Sequence, residues 1–518
     1  MMRVIAVCCA VAIALPAASC TNGDPAPTAT HDEAPPASST TTSETDVDSV
    51  PALDWVSCGE AECSVLTVPL DHDDPSAGTI DLRVARRLAD QPDQRIGVLF
   101  YNPGGAGAAG IPFVEAASAS FGSELLRRFD LVSWDPRGVS AGTELDCFDD
   151  PNEFFALDPT PESDEEVEQV TARLRSFAAA CAERSGNLLP HLSTMATARD
   201  MDQLRRVLGE EQISYLGQSY GTALGLAYAT LYPNRLRAMA LDGIYDLNAP
   251  LDEFVATRAE AEFAVLGAAL AECAGDEFCP FHNGGDPSGA LNDLLGSLDD
   301  SPLVVGDAEL SHLRALDAIW WSLLSEEYWP ALAEGLARAQ QGDGELLLSW
   351  SQLDADAGPL GLAGWYGINC LDRPREQRSL TDEQYARIVA ASPWLGVDEW
   401  MGNVVCRYWG AEPEPPPPPA PGDAPILIVS ATGDTATPLP SGLALSRRLD
   451  HARLLIAEQN SHNSYAPILP GGIVDGEAEC VTSVVHRFLV DLQLPADQSV
   501  CVHGQGRLLP PGSIVGVP

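Results

Sequence analysis

Residues 213–233 set three kinds of sequence end to end: the apolar run Ile213-Ser214-Tyr215-Leu216, the pentapeptide Gly217-Gln218-Ser219-Tyr220-Gly221, and an alanine-rich stretch closed by Pro233. In order, these predict a buried strand, a sharp turn with glycine on both sides of a serine, and a helix that ends where proline withdraws the next amide. Comparable apolar runs occur at 96–101, 129–134, 239–241, 426–429 and 454–456, with helical stretches between them. Strands buried on both faces and separated by helices predict a mostly parallel sheet flanked by helices, an α/β fold.

The alternation stops after Asp246 and resumes near residue 425. The interval 247–424 reads as amphipathic helix at 251–274 and 331–341, with aromatic residues at Trp320, Trp321, Trp329, Trp365 and Tyr366. A helical insertion late in such a sheet is expected to cap the strand ends, where ligands bind. Within 412–421 a run of five prolines makes a stiff extended return to the sheet. The expected organisation is a core in two parts, 55–246 and 425–518, interrupted by a cap and connector.

Ahead of the core, Arg3, an apolar run at 4–15 and the small residues Ala17, Ala18 and Ser19 read as an export signal over 1–19, too short to span a membrane as a mature helix. Small residues directly before a cysteine resemble a bacterial lipoprotein leader, which makes Cys20 the lipidated first residue of the mature chain. The usual leucine three positions earlier is here Ala17, so ordinary secretory cleavage stays open. Residues 20–54 are rich in Ser, Thr, Pro and acid, and are expected to form a disordered tether. The expected location is the outer face of the cytoplasmic membrane, held by lipid at Cys20, or the secreted space.

Thirteen cysteines bear on this. Cys8 and Cys9 leave with the signal and Cys20 takes lipid. The ten that remain, Cys58, Cys63, Cys147, Cys181, Cys273, Cys279, Cys370, Cys406, Cys480 and Cys501, form an even set suited to disulfides. Pairing in sequence order gives five short-range bridges, one of the connectivities open to them. Zinc is the competing reading, but the chain has no Cys-x-x-Cys pair, and no metal site is expected. A formal net charge of −46 disfavours nucleic acid as a partner.

Gly-x-Ser-x-Gly occurs a second time, at Gly138-Val139-Ser140-Ala141-Gly142, but no helical stretch follows it, and Ser140 is assigned to a loop. Ser219 has the strand-turn-helix setting of a nucleophile. A serine hydroxyl needs a base to take its proton, and the base needs a carboxylate to fix its tautomer. Asp434 follows the run 426–429 and His462 follows 454–456, both in loops beyond strand ends and in the chain order acid then base. His503, in the tail, is the rival base. The glycine-rich stretch Asn102-Pro103-Gly104-Gly105-Ala106-Gly107 suits an oxyanion site, with backbone donors near Gly105 and at Tyr220. A phosphate cradle is the alternative, but no Gly-Lys-Ser/Thr follows. The chemistry calls for neither metal nor organic cofactor.

Together with Asp135-Pro136-Arg137-Gly138, Leu241-Asp242-Gly243, Ile368-Asn369-Cys370, Asp372, Cys406, Trp409 and Gly433-Asp434, these residues resemble the proline iminopeptidase and tripeptidyl aminopeptidase branch of the α/β-hydrolases, well populated by exported actinobacterial proteins. The likeness spans about residues 55–505 and departs from the branch at Ala106, Ser140 and Asn463. It implies an α/β-hydrolase fold with an inserted helical cap, and a serine peptidase that removes short pieces from peptides with a free N-terminus. A carboxylate must then receive the substrate ammonium. Asp372 is the candidate, against a structural role beside Cys370. A carboxylesterase or lipase with the same triad, and a non-catalytic binding lipoprotein, are the alternatives.

Overall fold

The computed structural model describes residues 53–148, 154, 157, 161, 163–351, 359–375, 381–392, 404–465, 480–502 and 507–513. The export signal, Cys20, most of the tether and His503 lie outside the described residues. The strands are β1 Val56–Cys58, β2 Ala61–Pro69, β3 Thr79–Arg87, β4 Gly97–Asn102, β5 Phe129–Trp134, β6 Ile213–Gln218, β7 Leu236–Asp242, β8 Leu303–Val305, β9 Ala308–Leu310, β10 Ile426–Ala431, β11 Ala452–Glu458, β12 Ser499–Val502 and β13 Leu508–Leu509. Among the described residues, eleven of them form one sheet in the order β1-β2-β3-β5-β4-β6-β7-β10-β11-β12-β13, and β8 pairs with β9 apart from it.

The six apolar runs become β4, β5, β6, β7, β10 and β11, and their mutual pairings are parallel. Alternate side chains of each strand enter different cores. Val98 and Phe100 of β4, with Ile426 and Ile428 of β10, belong to one face, while Leu99, Tyr101, Leu427 and Val429 belong to the other. Burial on both faces is why these segments read as unbroken apolar runs. The antiparallel strands β1–β3 were not anticipated. β2 and β3 bury alternate residues, and polar or charged side chains such as Ser64, Thr67, Arg83 and Arg86 interrupt them.

Between β7 and β10 the chain forms helices at Leu251–Gly275, Pro287–Asp300, His312–Leu323, Trp329–Gln340, Glu345–Ser351, Pro359–Asp372 and Asp382–Ala391. Several of these helices share a core of their own, with Leu266, Phe281, Leu291, Leu310, Leu316, Ile319 and Leu336 buried together. The proline tract then crosses back without regular secondary structure, tied by the Glu414 N–H to the Leu371 carbonyl at 2.9 Å. Among the described residues, five disulfides join consecutive cysteines: Cys58–Cys63, Cys147–Cys181, Cys273–Cys279, Cys370–Cys406 and Cys480–Cys501. No helix among the described residues is long and apolar enough to cross a membrane.

Arg137 is fully buried in the loop after β5. Its guanidinium donates to both Asp200 oxygens at 2.5 and 2.7 Å, and to the carbonyls of Leu70, Pro69 and His191. One side chain thereby clamps the end of β2 to the helix Thr194–Val207. Removing one member of a buried ion pair strands the other's charge, so Arg137→Leu is expected to cost about 3–5 kcal/mol of unfolding free energy. Urea denaturation checks this; a loss below about 1 kcal/mol would show that the clamp is not stabilising.

Candidate active site

Ser219 sits between β6 and the helix Tyr220–Leu231 with φ 54° and ψ −128°. A left-handed backbone at a residue with a side chain costs on the order of 1–3 kcal/mol and needs surroundings that enforce it. Here the Ser219 N–H donates to the Asp242 carbonyl at 2.9 Å, and its carbonyl accepts from Thr222 N–H at 2.9 Å and from the Thr222 hydroxyl at 2.6 Å. The flanking glycines make room. A Cβ at Gly217 would lie 2.5 Å from the Gly221 carbonyl oxygen, and one at Gly221 would lie 2.5 Å from the Asn102 carbonyl oxygen. Ser140, of the other pentapeptide, is buried in a loop where its hydroxyl accepts from Arg83 N–H at 2.8 Å.

Asp434 lies just past β10 and is almost wholly buried. Its carboxylate accepts N–H bonds from Ala436 at 3.0 Å and Thr437 at 2.8 Å, which fix it before the helix Leu439–Arg448 begins. His462 follows β11, and its Nδ1 stands 2.9 and 3.1 Å from the two Asp434 oxygens. With Nδ1–H donated to Asp434, Nε2 carries the lone pair that a general base requires. Ser219 and His462 keep 8% and 6% of their surface exposed, so the site is narrow.

Gly104 and Gly105 follow β4 with φ near +100°. A Cβ on Gly104 would fall 2.6 Å from the Gln218 carbonyl oxygen, 2.8 Å from Ser219 Cβ and 3.1 Å from Tyr220 N. The glycine turn therefore abuts the serine turn, and the candidate donor Gly105 stands one residue beyond the contact. The structure thus brings Ser219, Tyr220 and the Gly104-Gly105 turn together, and separately joins His462 to Asp434.

Asp372 is placed elsewhere and corrects an expectation. It ends the helix Pro359–Asp372 with no exposed surface, and its oxygens accept from Thr194 N–H at 2.8 Å and the Thr194 hydroxyl at 2.5 Å. That hydroxyl also bonds the Tyr220 hydroxyl. A carboxylate enclosed in this way has no face to offer a substrate ammonium. It lies behind Tyr220, linking the last turn of a cap helix to the residue beside Ser219.

Two contributors escaped the reading of the sequence. The Thr437 hydroxyl donates to Asp434 Oδ2 at 2.8 Å and lies 3.2 Å from His462 Nδ1. Its place three residues after the acid was the available signal. The cap also grips the histidine loop: His462 N–H donates to the Leu324 carbonyl at 2.8 Å, Glu326 N–H to the Asn460 carbonyl at 2.9 Å, and the Asn460 side chain to Glu326 Oε2 at 3.0 Å. Main-chain contacts of this kind leave no mark on residue types.

A family model described as alpha/beta hydrolase fold matches residues 97–466. The chain belongs to that family. It is 29% identical to "Serine protease Hip1" of Mycobacterium tuberculosis over 87% of this chain and 91% of that one. It is 28% identical to "Tripeptidyl aminopeptidase" of Streptomyces lividans over 87% and 85%. "Carboxylesterase B" of Mycobacterium tuberculosis is 33% identical over 87% and 90%. The chain is therefore a serine hydrolase of the α/β-hydrolase family whose relatives are named for peptidase and for esterase activity.

Two experiments address this geometry. Gly104→Ala forces a methyl group onto the serine turn and is expected to lower kcat for an activated ester about a hundredfold, as loss of oxyanion stabilisation does; an unchanged kcat would dissociate the glycine turn from the site. Burial pushes the Asp372 carboxyl up to about 7, against an ordinary value near 4. A raised carboxyl favours the fold in its protonated form, so its contribution is fully present below about pH 4 and is lost as pH rises through about 7. The melting temperature of Asp372→Asn, measured against wild type, should accordingly climb between pH 5 and pH 8; parallel curves would contradict it.

Proposed function

We propose that the protein is an exported serine peptidase of aminopeptidase type, acting through an acyl-enzyme on peptides with a free N-terminus. The reading is carried by the strained Ser219 turn, set against the glycine turn on one side of the site, together with the His462–Asp434 pair. His462 Nε2 takes the Ser219 proton as Oγ attacks the carbonyl carbon. Asp434, held by two amides and Thr437, keeps the imidazole oriented and stabilises its cationic form. The developing oxyanion accepts from the amides of Tyr220 and Gly105. Imidazolium then protonates the leaving amine, water enters by the same base, and the acyl group leaves Ser219.

Preference for peptides over esters draws on the likeness to the two peptidase relatives. The carboxylate that receives the ammonium is sought on the cap at a position other than Asp372. The relative named as a carboxylesterase favours the second reading, an esterase with the same residues. Export, with Cys20 as the lipidated residue, is supported by the leader pattern and by five disulfides, which belong to oxidising compartments.

Fluorophosphonate labelling of the wild type and of Ser219→Ala, followed by paired peptides with free and acetylated N-termini, tests the reading. Wild type is expected to label, the alanine variant to remain unlabelled, and free N-termini to be cleaved at least about tenfold faster, since each lost charge-assisted contact is worth 1.5–3 kcal/mol or so. Labelling at a residue other than Ser219 would end the triad assignment. Equal cleavage of free and blocked peptides would end the aminopeptidase assignment, and faster turnover of short acyl esters would favour the esterase.

A further inference from the structure

Asp242 ends β7 beside the serine turn, almost wholly buried, and the mechanism above gives it no part. Its main-chain oxygen holds the Ser219 N–H. Its carboxylate faces the opposite way along the site: Oδ2 accepts the N–H groups of Ser464 at 2.8 Å and Tyr465 at 2.9 Å, and the Gln218 side-chain amide at 3.3 Å. The Gln218 side-chain oxygen Oε1 in turn accepts from the Tyr101 hydroxyl at 2.7 Å. Ser464 and Tyr465 are the second and third residues after His462, separated from it by Asn463 in a left-handed conformation with φ 64°. The same turn meets the end of β7 again at Gly243, where a Cβ would lie 2.7 Å from Asn463 Oδ1 and 2.6 Å from Thr437 Oγ1.

We infer that Asp242 is a positioning residue that sets the separation of Ser219 and His462, anchoring the nucleophile by its main chain and the loop of the base by its carboxylate. The inference rests on the triad reading above. A turn that carries a left-handed asparagine has a conformation to escape to, and three donors converging on one carboxylate oxygen are the restraint against it. The same turn is held a second time at Asp434, whose Oδ2 accepts the Asn463 N–H at 3.4 Å. Burial pushes the Asp242 carboxyl up to about 6, opposed by its three hydrogen bonds, and the neighbouring Asp434 carboxylate adds to the rise. The three hydrogen bonds to Asp242 offset part of the cost of burying an acid here.

The test compares wild type, His462→Ala, Asp242→Asn and Asp242→Glu by kcat and KM on p-nitrophenyl butyrate, with a melting temperature for each. Asparagine keeps an acceptor oxygen at the same reach without the charge, and is expected to hold kcat within about tenfold of wild type. Glutamate keeps the charge but displaces the loop by one methylene, roughly 1 Å, and is expected to lower kcat about a hundredfold with KM within about threefold. Should the glutamate variant not melt cooperatively, Asp242→Ala, which removes the acceptor without adding volume, is expected to show the same split. A wild-type kcat for the displaced or truncated variant overturns the inference, as does an Asp242→Asn loss as deep as that of His462→Ala. Retained activity in His462→Ala would overturn the triad and this inference together. An inactive His462→Ala beside a fully active Asp242→Glu would overturn this inference alone.

Discussion

The backbone of Ser219 is the constraint on which the site is built. A side chain in the left-handed region at the end of a buried strand is tolerated only where the surroundings leave it no alternative. Those surroundings account for much of the nearby sequence: glycine at 217 and 221 where main chains touch, glycine at 104 where the neighbouring turn abuts, and the Asp242 carbonyl receiving the Ser219 amide. The turn sets Ser219 directly before the first amide of the helix Tyr220–Leu231. In the proposed reading, nucleophile and oxyanion donor thus arise from one local conformation.

The cap is less an added lid than a part of the site. It holds the histidine loop by main-chain bonds from Leu324 and Glu326, and it reaches behind Tyr220 through Asp372 and Thr194. One part of it, with the helices His312–Leu323 and Trp329–Gln340, has a core of its own, while Tyr366, Ile368 and Leu371 of the helix Pro359–Asp372 are buried in the main core. Leu324 directly follows a helix of the separate core and Asp372 ends a helix of the main core, and both sides of the reaction centre take some of their placement from the cap.

What the sequence disclosed and what it concealed follow from how each contact is made. Parallel strands were readable because burial on two faces demands apolar residues at every position, while β2 and β3, alternating across an edge, mix Arg83 and Arg86 with Leu82 and Val84 and signal weakly. Ser219, Asp434 and His462 stand out because their order and their places after strands are set by topology. Thr437 and the Leu324 carbonyl act through a hydroxyl and a main-chain atom, which residue identity scarcely records. Asp372 was misjudged for a related reason. An acid in a cap helix looks the same in one dimension whether it faces a cleft or closes onto Thr194, and the difference is visible only in the burial of its carboxylate.

The bridges join neighbours in the order in which the cysteines occur, at sequence separations of 5, 34, 6, 36 and 21. No loop contains or crosses another. In the export proposed above, with the N-terminus leading, each bridge can close as its second cysteine emerges, before the first cysteine of the next pair is available to compete. Oxidation in that order of emergence gives this pairing with no exchange step.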